Sequence, residues 1–458
     1  MQEHWDIIII GAGPAGMSAA IAASSNNASV LVVDRSPNIG GQIYRNVENV
    51  SSELQAFLGK DFSKGIRLAQ EFRACPASVC SDTTVWGIDS GIVYVSRNGV
   101  SSALHADTII IATGALERPA PVEGWTLPGV MGAGAADLLL KNSGVIPDSP
   151  VVLCGNGPLL LQSALHLTKL GVEVRGMLCT SGSHNLLQAS LRFPLALSRP
   201  LYFAKGAGMM GNILRTRIPH FFGVSDIAIS QDFGALSISF ASKGQNKQLS
   251  AATVLLHEGV IPDTRLSRLV GCIHDWNPLL RCWTPRTTQW GESSQVGVRI
   301  VGDSAGVLGA EAAAALGTLA ALDVCHKAAF ISRKERDEQA EHASRLLTRV
   351  RIAQPLLDQY FCPSSSALSP SDDTIVCRCE ELTAGTLRKY IRNGSLTPDG
   401  VKAQSRSGMG QCQGRMCEHA ILELIAEERG VDHDLITPLK IQAPIFPIPL
   451  GELSDLDL

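Results

Sequence analysis

The chain has 458 residues and a mass of 48.7 kDa, which leaves room for two to four domains at ~100–200 residues each. Hydrophobic residues at 45% and charged residues at 18% allow a large buried core and exclude wholesale disorder. Lys and Arg total 39 against 43 acids and aromatics reach 5%, so neither a basic excess nor a stock of stacking rings supports nucleic-acid binding.

In chain order, Met1–Asp6 runs straight into an apolar strand, Ile7–Ile10, without a signal-peptide pattern. An uninterrupted β-branched run of this kind is expected of a strand buried on both faces. Gly11-Ala12-Gly13-Pro14-Ala15-Gly16 follows, then an apolar helix, Met17–Ala23, and a strand, Val30–Val33, ending at Asp34-Arg35. G-x-G-x-x-G between a strand and a helix, with an acid about 20 residues on, predicts a dinucleotide site. Gly11 permits the tight turn, Gly13 lets the backbone approach a pyrophosphate, and Gly16 permits close helix–strand packing. The helix start at Pro14 and Ala15 presents NH groups and a positive dipole end to phosphate. Asp34, flanked by Arg35, is placed to accept hydrogen bonds from the ribose.

Further motifs extend this reading. Gly40-Gly41-Gln42-Ile43-Tyr44-Arg45 follows the first unit; Ile109–Ile111 is a buried strand ending in Ala112-Thr113-Gly114; Val298–Val301 is a strand ending in Gly302-Asp303. Together these resemble the two-dinucleotide-domain flavoproteins, the class of thioredoxin and glutathione reductases. The resemblance implies FAD, an α/β fold of two interleaved Rossmann-like domains, and contacts through Gly41 and Gln42. It also implies that Asp303 lies near the ribityl chain, Ala310 near the flavin pyrimidine edge, and Thr83-Thr84-Val85 beside adenine.

A second strand and glycine turn occur at Val151–Leu160, but Leu160 stands where a third glycine belongs. The next strand, Val172–Leu178, ends in Cys179-Thr180-Ser181, with no acid for an NAD ribose and no Arg cluster for an NADP phosphate. We read a retained Rossmann scaffold whose nicotinamide site has been lost or turned to another nucleotide. The apolar run Ala305–Leu322 is Ala- and Gly-rich and interrupted by Glu311, which fits a helix packed closely on a sheet better than a membrane span. Arg333–Arg351 is a charged helical connector, and Pro363–Ser371 a Ser/Pro linker.

Twelve cysteines without a secretory signal point to a reducing cytoplasm. Cys75 and Cys80 have a C-x4-C spacing but lie away from the expected flavin, and most others are scattered singly. Cys377, Cys379, Cys412 and Cys417 differ: C-x-C and C-x4-C in one small module can converge on zinc or on a [2Fe-2S] cluster. Arg378, Lys402, Arg406 and Arg415 supply cations, and Gly408, Gly410 and Gly414 free backbone NH groups. Val376–Glu381 with Gly408–Gly414 resembles the bacterioferritin-associated-ferredoxin-like (BFD-like) domain, which implies [2Fe-2S] ligation by the four cysteines. The expected domains are FAD-binding (1–115 and 290–330), degenerate dinucleotide-binding (116–289), connector and linker (331–373), [2Fe-2S] (374–430) and an extended Pro-rich tail (431–458).

This order, with His257–Pro262, Cys282-Trp283 and the tail Ala443–Glu452, resembles the α-type subunit of bacterial multi-subunit amino-acid dehydrogenases. That family includes D-hydroxyproline and L-proline dehydrogenases, octopine and nopaline oxidases and hydrogen cyanide synthase. The resemblance implies a β-type flavoprotein partner that oxidises a C–N bond, a small ferredoxin-like subunit in some complexes, and a further flavin, FMN, at a subunit interface. No acid/base constellation for that chemistry is found here: His166 and His326 read as helical and His105 as preceding a strand, so no catalytic residue is assigned. Two other readings are a stand-alone NAD(P)H-dependent flavin reductase feeding its cluster and a scaffold with structural FAD. Phe193–Phe222, apolar yet interrupted by arginines, is the candidate docking segment, expected as a helix pair.

Overall fold

The computed structural model describes residues 4–232, 234–454 and 456, so Met1–Glu3 of the leading segment lie outside the described residues. Ile7–Ile10 carries no polar side chain and is flanked on both edges by parallel strands, Val30–Val33 and Val100–Ile111, in register Ile10↔Val33 and Ile10↔Ile111. Val298–Ile300 joins the same sheet from nearly 200 residues downstream, pairing Ile300 with Ile111. The antiparallel strands Thr84–Asp89 and Ile92–Arg97 extend one edge, and Ser78–Cys80 closes the other. His105 lies within the strand Val100–Ile111 instead of preceding it.

The helix Pro14–Ser24 packs under this sheet against the helix Ala310–Lys327. A Cβ at Gly317 would fall 2.0 Å from the Ala15 carbonyl oxygen, so the small residues serve close helix crossing. The second helix starts at Ala310, five residues later than the apolar run suggests, because Gly306 (φ +150°) and Gly309 (φ +86°) hold the preceding turn outside helical geometry. Among the described residues no helix is long and apolar enough to cross a membrane.

The second sheet is built from Val130–Gly132, Val151–Asn156, Val174–Cys179, His220–Phe222 and Thr253–Glu258, all parallel along its path. The expected helix pair at Phe193–Phe222 is instead a 3-10 turn (Phe193–Ser198), one helix (Pro200–Arg215) and an edge strand, because His220–Phe222 pairs with Met177–Cys179. The connector helix continues past Arg351 to Tyr360, with Pro355 inside it, and is capped at Ser332 by Glu335. Ser365–Leu368 forms a short helix within the Ser/Pro linker.

The cysteine module has its own core of Val376, Leu387, Ile391, Ile421, Leu424 and Ile425, against which Trp283 of the main body packs. The buried pair Arg268–Glu418 and the ion pair Arg281–Glu423 tie the module to that body. His433 stacks on Trp276 at 4.9 Å. The tail returns to the first sheet, where Ile445 donates its NH to the Trp86 carbonyl at 2.9 Å and its side chain enters the core beside Val85.

Candidate functional site

The three flavin motifs, far apart in sequence, meet backbone to backbone. Gly11 (φ +110°) has no room for a Cβ, which would lie 2.5 Å from the Ala112 carbonyl oxygen. A Cβ on Gly41 (φ +63°) would lie 2.9 Å from the Gly13 Cα, and the Gly40 NH donates to the Ala12 carbonyl at 2.8 Å. Gly16 is needed for packing, since its Cβ would fall 1.8 Å from the Gly11 carbonyl oxygen. Gly13 is different: its Cβ would meet nothing nearer than the Gly41 Cα at 3.8 Å. The fold therefore leaves open space at the position where a pyrophosphate needs bare backbone.

Asp34 accepts from the Ala12 NH at 2.5 Å and the Ser36 NH at 2.6 Å. Burial pushes its carboxyl up, opposed by those two bonds and by Arg45. Asp34 thus fixes the glycine turn, with both carboxylate oxygens engaged by backbone NH groups. Arg35 is exposed and stacks over Phe446 of the tail at 4.6 Å. Val85 is buried, whereas Gln42 is exposed.

At the other end of the site, Gly302 (φ +68°) lies against Ala15, where a Cβ would come within 2.7 Å of the Ala15 Cβ. Asp303 accepts from the Leu308 NH at 3.2 Å, and burial raises its carboxyl. Ala310 opens its helix beside Glu311, which bonds Lys64 at 2.7 Å and Arg199 at 3.0 Å and is held below the usual carboxylate range, chiefly by Lys64. Thr113 and Gly114 contact Asp263: the Gly114 carbonyl accepts from the Asp263 NH at 3.0 Å. Cys75 follows a helix, and Cys80 ends the edge strand beside Asp34, whose NH donates to the Cys80 carbonyl at 3.0 Å.

The second glycine turn is filled. A Cβ on Gly155 would fall 1.8 Å from the His257 carbonyl oxygen, and one on Gly157 would lie 2.8 Å from the His257 ring. That ring is held by Glu117 at 2.7 Å. Leu160, in the third glycine position, is buried in the core of its own domain.

The four module cysteines form two contacting pairs, Cys377 with Cys417 and Cys379 with Cys412. The Cys417 contact draws the Cys377 thiol down to about 6, helped by the NH groups of Glu380, Gly408 and Cys379, while the same contact raises Cys417. Burial is the first cause raising Cys412, opposed by the Met416 and Gly414 NH groups. Gly410 must be glycine, because a Cβ would lie 2.2 Å from the Cys379 Cβ. Among the described residues no three ligands gather round a single ion. Two thiol pairs edged by NH donors suit a two-iron cluster, in which each iron takes two thiolates, better than one tetrahedral zinc. Of the expected cations, Arg415 donates to the Cys412 carbonyl at 3.1 Å and Arg406 pairs with Glu380 at 3.2 Å. Arg378 instead stacks on Trp125 at 5.2 Å, and Lys402 lines a cleft against the tail.

Known proteins share these features. The pyridine nucleotide-disulphide oxidoreductase family matches residues 5–190, and the BFD-like [2Fe-2S] binding domain family matches residues 375–427. The chain is 38% identical over its whole length to the A-type subunit of opine oxidase from Agrobacterium tumefaciens, covering 92% of that protein. The chain belongs to the family of opine oxidase A-type subunits. The family extends to hydrogen cyanide synthase subunit HcnB of Pseudomonas aeruginosa, 28% identical over 98% of each chain. Among solved structures, L-proline dehydrogenase from P. horikoshii shares the fold with a TM-score of 0.72 at 16% identity, over 98% of this chain and 79% of that one.

As a member of this family the chain is a flavin oxidoreductase that binds FAD and a [2Fe-2S] cluster. The open backbone at Gly13 and the paired thiols fit those two groups. Arg265 and Phe446, which sequence reasoning missed, join the two sites: Arg265 and Arg415 stack on the Phe446 ring at 4.8 and 5.3 Å, as Arg35 does. Arg415 sits between Cys412 and Cys417 and Arg35 beside Asp34, so one tail phenylalanine bridges the cysteine loop and the Asp34 turn. The Pro-rich tail was the available signal, but which ring it would present was not readable from it.

Proposed function

We propose that this chain is the electron-carrying subunit of a heteromeric oxidase or dehydrogenase acting on the C–N bond of an amino acid, imino acid or opine. The carrying observation is that the FAD site and the thiol module form one packed body, joined by Arg268–Glu418 and by Phe446, in a chain aligned end to end with an opine oxidase subunit. When bound, FAD supplies two-electron acceptance and the cluster one-electron transfer. The chain's own residues bind and orient: Gly11, Gly13 and Gly16 with Asp34 hold the adenosine diphosphate half. Ala112, Thr113, Gly114 and Asp303 line the rest, and Cys377, Cys379, Cys412 and Cys417 hold the irons.

The C–N bond is oxidised on a partner flavoprotein in this reading. The docking face is the crest of residues 186–214, where Leu197 is 77% and Leu201 86% exposed. Leu191, Phe193 and Leu214 are exposed beside them. Between 183 and 217 lie five cations and no acid; Arg199 and Lys205 pair with Glu311 and Asp61 of the chain itself, which leaves Arg192, Arg215 and Arg217 for a partner with an apolar centre and an acidic rim. Ile213 faces the domain core, so Leu201 is the cleaner probe. The reading extends to an FMN between subunits, checked by counting flavins in the complex.

The test is co-expression with the partner flavoprotein. The complex should reduce a dye acceptor with opine- or proline-like substrates, the isolated chain should not, and Leu201→Glu should abolish co-purification with FAD and cluster retained. Substrate-dependent flavin bleaching in the isolated chain contradicts the relay.

A further inference from the structure

In open α/β sheets, ligands bind in the crevice beyond the carboxyl ends of the parallel strands. In the second dinucleotide unit those ends are Asn156, Cys179 and Glu258. Asn156 occupies the middle of the glycine turn and is buried. Its side-chain amide donates to the Cys362 carbonyl at 3.0 Å, and Asn185, in the first turn of the helix Ser183–Ser190 that follows the next strand, donates to the same oxygen at 3.2 Å. Cys362 lies just past the connector helix Arg333–Tyr360, from a part of the chain outside this domain. Tyr360 packs against Ala189 and Ala196, from the segment that follows the neighbouring strand.

We propose that the end of the connector, Tyr360–Cys362, occupies the crevice of the second dinucleotide unit in place of a nucleotide, and that Asn156 and Asn185 set the chain's donor specificity by holding it there. The two amides meet a carbonyl oxygen much as a glycine turn meets a phosphate oxygen. A neutral acceptor suits this turn, which has no Arg cluster to balance a diphosphate. Two acidic residues stand on the elements that meet here. Glu258 accepts from Thr180 at 2.7 Å and leaves its second oxygen buried without a partner, and Asp358 lies on the incoming helix. His257 fills the inner side of the same turn. The first unit, by contrast, leaves the space over Gly13 open. The consequence is that nicotinamide nucleotides cannot deliver hydride to this chain, whichever partner or substrate it serves.

The test uses the full-length chain with FAD and cluster in place. In the wild type, amide exchange across Tyr360–Cys362 should be slow and unchanged by millimolar NADH or NADPH, and neither nucleotide should bleach the flavin. In Asn156→Ala/Asn185→Ala, exchange in that segment should rise at least about tenfold, with flavin and cluster absorbance retained. Rapid exchange of the segment in the wild type, reduction of wild-type flavin by either nucleotide, or unchanged exchange in the double variant overturns the proposal. If the double variant does not fold, the wild-type measurements decide alone.

Discussion

The two glycine turns of this chain begin alike and end differently. Each follows a buried parallel strand, each has glycines in unusual conformations (Gly11 at φ +110°, Gly155 at +128°), and each opens a helix with proline. In the first, the surrounding backbone comes close at Gly11, Gly16 and Gly41 but stands back from Gly13. In the second, His257 presses on Gly157, and Asn156 holds the Cys362 carbonyl. A glycine motif therefore specifies a turn, whereas the later chain decides whether that turn is a binding site.

The largest effect is expected at Gly13. Gly13→Val should fold, because space is available there, yet purify without FAD. Gly11→Ala should fail to accumulate as folded protein, because its Cβ meets the Ala112 carbonyl at a strained φ. The flavin-to-protein absorbance ratio and circular dichroism separate the two outcomes. A yellow Gly13→Val protein with normal FAD content contradicts the assignment. Cys412→Ser asks whether the open unit depends on the thiol module. Iron and labile sulfide, expected at about two each per wild-type chain, should fall to near zero while FAD stays bound.

Smaller effects probe the supports. Arg268→Met leaves the Glu418 carboxylate buried without its partner, a change that typically costs about 3–5 kcal/mol. It should detach the cysteine module in limited proteolysis before the flavoprotein body unfolds. Glu258 sharpens the filled unit. Burial pushes its carboxyl up from 4.5 to about 7, opposed by Thr180 and Arg118. Between pH 4.5 and 7 the folded state keeps a proton that the unfolded state releases, so this group lowers stability as pH rises through that window. Glu258→Gln should therefore stabilise the protein at pH ~8 by about 1–3 kcal/mol and have little effect at pH ~4.5, as read by denaturant melts at both pH values.

Much of this organisation was legible in the sequence. The strand Ile7–Ile10, the G-x-G-x-x-G turn, Asp34 and the paired cysteines are local patterns with local physical causes. Leu160 marks a departure from the glycine pattern in the second turn, and no glycine spacing could say what packs against it. That depends on Cys362, 206 residues from Asn156. The apolar run after Asp303 likewise hid its helix start, because hydropathy does not register the positive φ of Gly309. Along Phe193–Phe222, composition could not separate Ile213, which is buried, from Leu201, which is exposed. Arg35, Arg265 and Arg415 come from three separate segments and share one ring, a convergence that only tertiary packing creates.

In the proposed relay, electrons enter this chain from a partner flavoprotein and not from a nicotinamide nucleotide. The direct measurement is an anaerobic titration of the co-purified complex and of the isolated chain, following flavin absorbance and the cluster's electron paramagnetic resonance signal together. An opine- or proline-like substrate should bleach flavin and generate the reduced-cluster signal in the complex alone, and NADH and NADPH should do neither in either sample. Reduction of the isolated chain's flavin by NADH, with the cluster signal following, contradicts the relay.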